Sequence, residues 1–390
     1  MIRKIHKEIM TKITFYIFIN FNFYVFCTDN IVKKDYTKNY SKNVNIKTSD
    51  IPKDNTNGRL YEIIKKIKEG TYGKICLCKN NKTENKTVVK QISKKTDNER
   101  DKENASSEFY ISNELLNNQK AYREFNMSNE LKAYMNTTFL NKKREKEEKQ
   151  EIKINKNIIT VENVSETNNN YYIEMEYCKG GDLFDYIAKR NKLDKEEAAY
   201  FFYQLIHGVE WLHNRRIVHL DLKPENLFLT ENLILKIGDF GFNRKLKENE
   251  TFTYSQSGTP EYCPLEMLNK GGYDGYKKDI WSCGITLYVM LTGCFPFYGN
   301  NTKELFTEIR KCNYILPEYI DEDAKDLIKK ILVLDPQKRI TIKDIKKHKF
   351  YKLGKTIYNK KNIRIRKKLI KRKKLIKRKK SIEKTNKNTE

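Results

Sequence analysis

The chain has 390 residues, enough for a sizeable core and for more than one compact unit. Hydrophobic residues are 38% and charged residues 33%, low and high for a globular domain, so part of the chain is expected to lie outside any packed core. The net charge is +27, and the eight scattered cysteines, with Cys76 and Cys78 the single close pair, exclude a zinc quartet.

At the start, a basic stretch (Arg3, Lys4, Lys7, Lys12) precedes the mostly apolar run Ile13 to Cys27. That is the layout of a secretory signal peptide. A membrane span needs about 20 apolar residues, and this run is shorter and interrupted by Asn20 and Asn22. An untargeted hydrophobic extension fits equally well. Both readings of residues 1–27 therefore stand: the secretory pathway in one, and cytoplasm or nucleus, slightly favoured, in the other. Residues 28–57, rich in Asn, Lys, Thr and Asp without periodicity, read as a linker.

Leu60 to Lys68 and Lys74 to Lys79 predict two strands around the glycine turn Gly70-Thr71-Tyr72-Gly73, and Thr87 to Ser93 predicts a third. Glu108 to Asn117 has helical spacing. Residues 119–155 turn polar, with Asn141 to Gln150 almost wholly charged, and read as an exposed insertion. Strand patterns return at Asn157 and run to about Cys178. Helical patterns dominate afterwards, as in Ala198 to His213, Asp279 to Leu291 and Asp323 to Leu334. The chain ends in a polybasic stretch: residues 355–390 hold seventeen Lys and Arg against Glu383 and Glu390. Its tandem repeat, Lys367 to Arg372 and Lys373 to Arg378, has a six-residue period that keeps no single helical face, a poor fit to an amphipathic membrane helix. A solvated tail over 354–390 is expected, with weak salt-sensitive contacts to nucleic acid, importin or anionic lipid.

The most specific segment is His219-Leu220-Asp221-Leu222-Lys223-Pro224-Glu225-Asn226, followed thirteen residues later by Asp239-Phe240-Gly241. Phosphoryl transfer to a hydroxyl needs a carboxylate beside the acceptor, a cation beside the moving phosphate, and oxygen ligands for magnesium. Asp221, Lys223, and Asn226 with Asp239 supply these in order.

On these motifs the chain resembles a eukaryotic serine/threonine protein kinase, from about Gly58 to Lys352. The resemblance implies an α+β bilobal kinase fold over 58–353, with a β-rich lobe (58–177, containing the insertion at 119–155) and a helical lobe (178–353). It implies ATP and Mg2+ as cofactors and protein substrates. Asp221 and Lys223 would be catalytic, together with Thr259 of Ser257-Gly258-Thr259-Pro260-Glu261-Tyr262; Asn226 and Asp239 would hold the metal. Ile67, Gly70, Gly73, Ile75, Val88 and Phe228 would surround the nucleotide. Lys90 would reach its phosphates and pair with Glu108, Glu114 being the runner-up. Met175, Glu176 and Cys178 would form the hinge at the adenine, and Asp182 would meet the ribose.

Three departures stand out. Lys68 replaces the first glycine of the family's loop, Ser112 takes an apolar helix position, and Leu220 replaces the Arg before the catalytic Asp. In the family that Arg receives a phosphate on the activation loop, so phosphorylation at Ser255 is expected to activate weakly or not at all. Gly293 to Gly299 and Ala324 to Lys330 resemble the calcium/calmodulin-dependent group, including its AMP-activated relatives, although no EF-hand loop follows. Asp182 and Glu225 lead to the expectation of substrates with basic residues upstream of the acceptor.

Overall fold

The computed structural model describes residues 61–135 and 155–363, apart from positions 71, 72, 82 and 97. The hydrophobic stretch at 13–27, the linker at 28–57, the later part of the polar insertion and the tail repeats lie outside the described residues.

Five strands make one antiparallel sheet: β1 (Tyr61–Gly70), β2 (Gly73–Asn80), β3 (Lys86–Ser93), β4 (Val161–Glu166) and β5 (Asn170–Glu176). Their order is β1-β2-β3-β5-β4. Alternation sorts the two faces. Tyr61, Cys76, Cys78, Val89 and Tyr172 form a small cluster on one, while Ile92, Val161 and Ile173 join the main core.

Between β3 and β4 runs helix α1 (Glu99–Met135), 37 residues long. The sequence pattern marked only 108–117 of it. The helix continues because no Gly or Pro interrupts 99–135. Buried positions 104, 105, 108, 111, 112, 115 and 119 follow its turns. The first residues assigned to an exposed insertion therefore belong to this helix. Gln119 is buried, donating to the Ile159 carbonyl at 3.3 Å and accepting from the Val161 amide at 3.1 Å, which stitches α1 to the start of β4.

The second lobe opens with α2 (Leu183–Ala188) and α3 (Lys195–His213), capped by the Asp182 and Asp194 carboxylates. Short strands follow: β6 (Ile217–Val218), β7 (Leu227–Leu229), β8 (Leu235–Ile237), β9 (Arg244–Lys245), β10 (Phe252–Thr253) and β11 (Tyr273–Asp274). Three two-stranded pairs, β6-β9, β7-β8 and β10-β11, pin the intervening loops. Helix α4 (Gly275–Thr292) is buried along nearly its whole length and forms the axis of this lobe. Helices α5 (Thr302–Lys311), α6 (Glu322–Ile331) and α7 (Ile342–Ile345) complete the lobe, with α3 and α6 packed directly on α4.

A last helix, α8, spans residues 349–363 and reaches ten residues past 353, where a solvated tail was expected to begin. Its Tyr358 packs on Tyr200 and Tyr203 of α3, at centroid distances of 6.0 and 5.1 Å. Cys76, Cys78, Cys178, Cys263, Cys283 and Cys312 are free thiols, all but Cys312 buried. Among the described residues no helix is long and apolar enough to cross a membrane.

Candidate active site

The cleft between sheet and helical lobe gathers groups from five separate elements. Lys90 on β3 is 8% exposed. Its ammonium donates to Glu108 Oε1 at 2.5 Å and to Asp239 Oδ1 at 2.8 Å. Burial alone would lower its pKa, but the two carboxylates prevail and raise it. Burial likewise disfavours the charge on Asp239, yet Lys90, with His219 and Lys68 further off, holds its carboxyl down at about 2. Of the two candidate partners for Lys90, Glu108 is the one in contact; Glu114 pairs instead with Lys245 at 2.6 Å near the surface.

Above this trio, Gly70 pairs with Gly73 to close the β1–β2 turn. Gly73 has φ +137°, and a Cβ there would lie 1.8 Å from the Gln91 carbonyl oxygen, so the turn must be bare to fold over β3. A cavity beneath it is lined by Lys68, Gly73, Ile75, Lys90, Glu108 and Asp239. Ile67 sits in the β1 bulge between Lys66 and Lys68. Val88 pairs with Met175 across β3 and β5, and Thr87 Oγ1 donates to the Met175 carbonyl at 2.8 Å. The Glu176 side chain turns away to the Thr160 amide (2.7 Å) and to Lys236 (2.7 Å), leaving its segment anchored as a strap. Cys178 is buried, and Asp182 forms a β-bridge with Phe228 while capping α2.

The loop after β6 holds the second group. Asp221 Oδ1 accepts from both the amide (2.9 Å) and the hydroxyl (2.8 Å) of Thr259. Its Oδ2 faces Lys223 Nζ at 2.8 Å and accepts from Asn226 Nδ2 at 3.0 Å. Lys223 also donates to Thr259 Oγ1 at 2.5 Å. The carboxylate, ammonium, amide and hydroxyl expected from the sequence thus form one connected web. Among the described residues no three His, Cys, Asp or Glu side chains converge as a metal nest. The donors on offer are the oxygens of Asn226 and Asp239, hard ligands of the kind that leave a cation's remaining positions to phosphate and water.

The web rests on α4. Asp279, fully buried, accepts from the His219 amide (2.8 Å) and the Leu220 amide (2.9 Å), and contacts His213 Nε2 at 2.8 Å. Burial opposes its charge, but His213 and the backbone donors keep its pKa low. Leu220 needs that grip, since its φ of +65° is unfavourable for a leucine. Glu266 pairs with the buried Arg339 at 2.6 Å.

Two supporting residues escaped sequence reasoning. Gln119 carried no signal beyond a polar residue in a polar run. Lys278, next to Asp279, looked like one more lysine in a lysine-rich chain, yet it is 0% exposed. A lysine one residue before the mostly apolar Asp279 to Leu291 helix pattern, in register with its buried face, was the available clue.

Residues 127–351 match the family model described as protein kinase domain. Strands β1–β3, Lys90 and Glu108 precede the matched stretch, so their place in the site rests on geometry. Among curated proteins, the chain is 40% identical over 218 residues to the serine/threonine protein kinase OSK3 of Oryza sativa subsp. indica, covering 55% of this chain and 43% of that protein. It is 41% identical over 198 residues to CBL-interacting protein kinase 11 of Oryza sativa subsp. japonica, covering 50% of this chain and 39% of the relative. CBL-interacting protein kinase 15 of the same subspecies is 41% identical over 201 residues, 51% of this chain and 46% of its own length. The chain thus spans less than half the length of each of these relatives.

Proposed function

The chain belongs to the protein kinase family, and from that premise we propose that it transfers the γ-phosphate of Mg-ATP to Ser and Thr hydroxyls of protein substrates. The observation that carries this reading is the web of Asp221, Lys223, Asn226 and Thr259, set across the cleft from the paired Lys90, Glu108 and Asp239.

Each group has a role its surroundings favour. Asp221 lies within hydrogen-bond reach of Thr259 Oγ1 and so stands where an acceptor hydroxyl can be oriented and its proton received. Lys223 is held charged beside it: burial opposes its charge, but Asp221 raises its pKa. That ammonium can follow negative charge as it develops on the moving phosphoryl group. Lys90, fixed by Glu108, can reach the phosphates nearer the sugar. The oxygen donors Asn226 and Asp239 suit magnesium, which when bound would neutralise charge between the terminal phosphates.

We further propose basophilic specificity. Glu225 is tucked beside Asp182 and Asp221, its pKa pushed up mainly by burial. Its Oε2 is buried without a hydrogen-bond partner. A guanidinium from a substrate would satisfy that oxygen, and Asp182 adds a second negative charge. The tail is proposed to make weak polyanion or importin contacts in the cytoplasm or nucleus, the secretory pathway through the N-terminal hydrophobic segment being the alternative.

The test is transfer from Mg-ATP to a Ser/Thr peptide library by the full chain, with Asp221→Asn as control. Transfer lost in the control supports the reading, and equal turnover of peptides with Arg or Glu three residues upstream would remove the basophilic part. Magnesium-dependent nucleotide binding with no transfer to any peptide would leave a binding scaffold instead.

A further inference from the structure

Lys278 is fully buried, and among the described residues no carboxylate lies within ion-pair distance of its ammonium. Burying an ammonium without a counter-charge is unfavourable unless neutral acceptors surround it. Here they do. Nζ donates to the Leu220 carbonyl at 2.8 Å and to the Ser257 carbonyl at 2.5 Å, with the Tyr273 ring at 5.6 Å. The space is kept open by Gly258, where a Cβ would come within 2.8 Å of Lys278 Nζ and 2.7 Å of the Leu220 oxygen.

The two carbonyls are not arbitrary. Leu220 directly precedes Asp221, and Ser257 stands two residues before Thr259, the hydroxyl bound to Asp221. The contacts therefore close a ring: Lys278 to Leu220, along the chain to Asp221, across to Thr259, and back through Gly258 to Ser257. Neighbouring residues of α4 grip both ends of Leu220, Asp279 taking its N–H and Lys278 its C=O. The same segment is tied outward as well. Ser257 Oγ accepts from Arg100 Nη2 of α1 at 3.1 Å, and Ser255 Oγ lies 2.9 Å from it.

We infer that Lys278 is a positioning residue for phosphoryl transfer: its ammonium clamps the loop of Asp221 to the 257–259 segment and so keeps Asp221 and Thr259 aligned from inside the fold. The inference rests on the kinase reading above. A methionine at 278 keeps most of the volume and removes the donors, so both carbonyls lose their partner. An arginine restores donors to the same pair.

The experiment compares the full-length wild type with Lys278→Met and Lys278→Arg in steady-state transfer and in binding of a fluorescent ADP analogue. The loop displacement expected in Lys278→Met should lower kcat roughly 10- to 100-fold, because misplacement of reacting groups by about 1 Å has effects of that size. ADP affinity should stay within about twofold, since Lys278 lies outside the nucleotide cavity. Lys278→Arg should recover part of kcat. A folded Lys278→Met with unchanged kcat overturns the inference, as does a parallel loss of ADP binding and transfer in both variants. Should the methionine variant fail to fold, the wild type decides by 15N-lysine NMR. A slowly exchanging ammonium, absent from the Lys278→Arg spectrum, supports the clamp, and no protected ammonium refutes it. A wild type that binds ADP but transfers phosphate to no peptide overturns the kinase reading instead, and the clamp is then judged on ammonium protection.

Discussion

Lys90 and Asp239 set the electrostatics of the cleft, and their coupling has a measurable pH signature. The Asp239 pKa falls from an ordinary 3.8 to about 2 in the folded chain. A group with a depressed folded pKa adds stability that is present above its unfolded value and lost as pH falls through the folded one. Thermal melts should therefore decline more steeply between pH 4 and pH 2 for the wild type than for Asp239→Asn; parallel curves would contradict this. Glu108 and Glu114 provide a paired test, because one touches Lys90 and the other a surface lysine. Glu108→Gln should reduce kcat about 10-fold or more, whereas Glu114→Gln should change it less than about twofold. Lys68 lines the same cavity in place of a glycine and has no ion-pair partner among the described residues. Lys68→Glu is expected to weaken ADP binding about three- to tenfold and leave adenosine binding unchanged in a titration, since only the phosphates feel its charge. At this scale the sequence was readable where chemistry is contiguous: Asp221, Lys223 and Asn226 lie within six residues. It was unreadable where function depends on burial, because Lys278 has the same letter as dozens of solvated lysines.

Among the elements, α1 departs most from its sequence pattern. Its apolar signal stops near Asn117, while its backbone continues because good helix formers follow without a breaker. Gln119 then docks it through two buried hydrogen bonds that hydropathy cannot register. Gln119→Ala should destabilise the fold by about 1–3 kcal/mol, the usual consequence of orphaning buried backbone groups, and urea unfolding will show whether it does. The loop from β10 to the 257–259 segment is the other informative element. It is already held by Tyr273, Arg100 and Lys278, with Leu220 offering no charge to a phosphate. Ser255→Ala should therefore alter the transfer rate less than about threefold. A large activation by phosphorylation that vanished in this variant would show that the internal ties are insufficient.

For the molecule as a whole, the two-lobed α+β plan followed from the change of period near Cys178, but its C-terminal limit did not. Basic composition concealed α8, whose Phe350, Tyr351, Gly354 and Tyr358 recur at helical spacing. Gly354 packs so closely that a Cβ would meet the Ala199 carbonyl oxygen at 2.0 Å. A chain cut after 353 should melt below one cut after 363, because Tyr200 and Tyr203 lose the Tyr358 ring; equal melting temperatures would make α8 an appendage. The six free thiols carry a last consequence. Burial raises the pKa of every one, Cys78 and Cys178 to about 12, so thiolate is scarce, and reagent is shut out from the five buried thiols while the fold is closed. Alkylation of those five can then proceed only as fast as the chain breathes. Cys283, sealed inside α4, keeps time for global opening, and Cys178, at the strap beside the cleft, keeps time for the mouth of the site. The native chain thus contains its own pair of stopwatches, readable by mass spectrometry without adding a label.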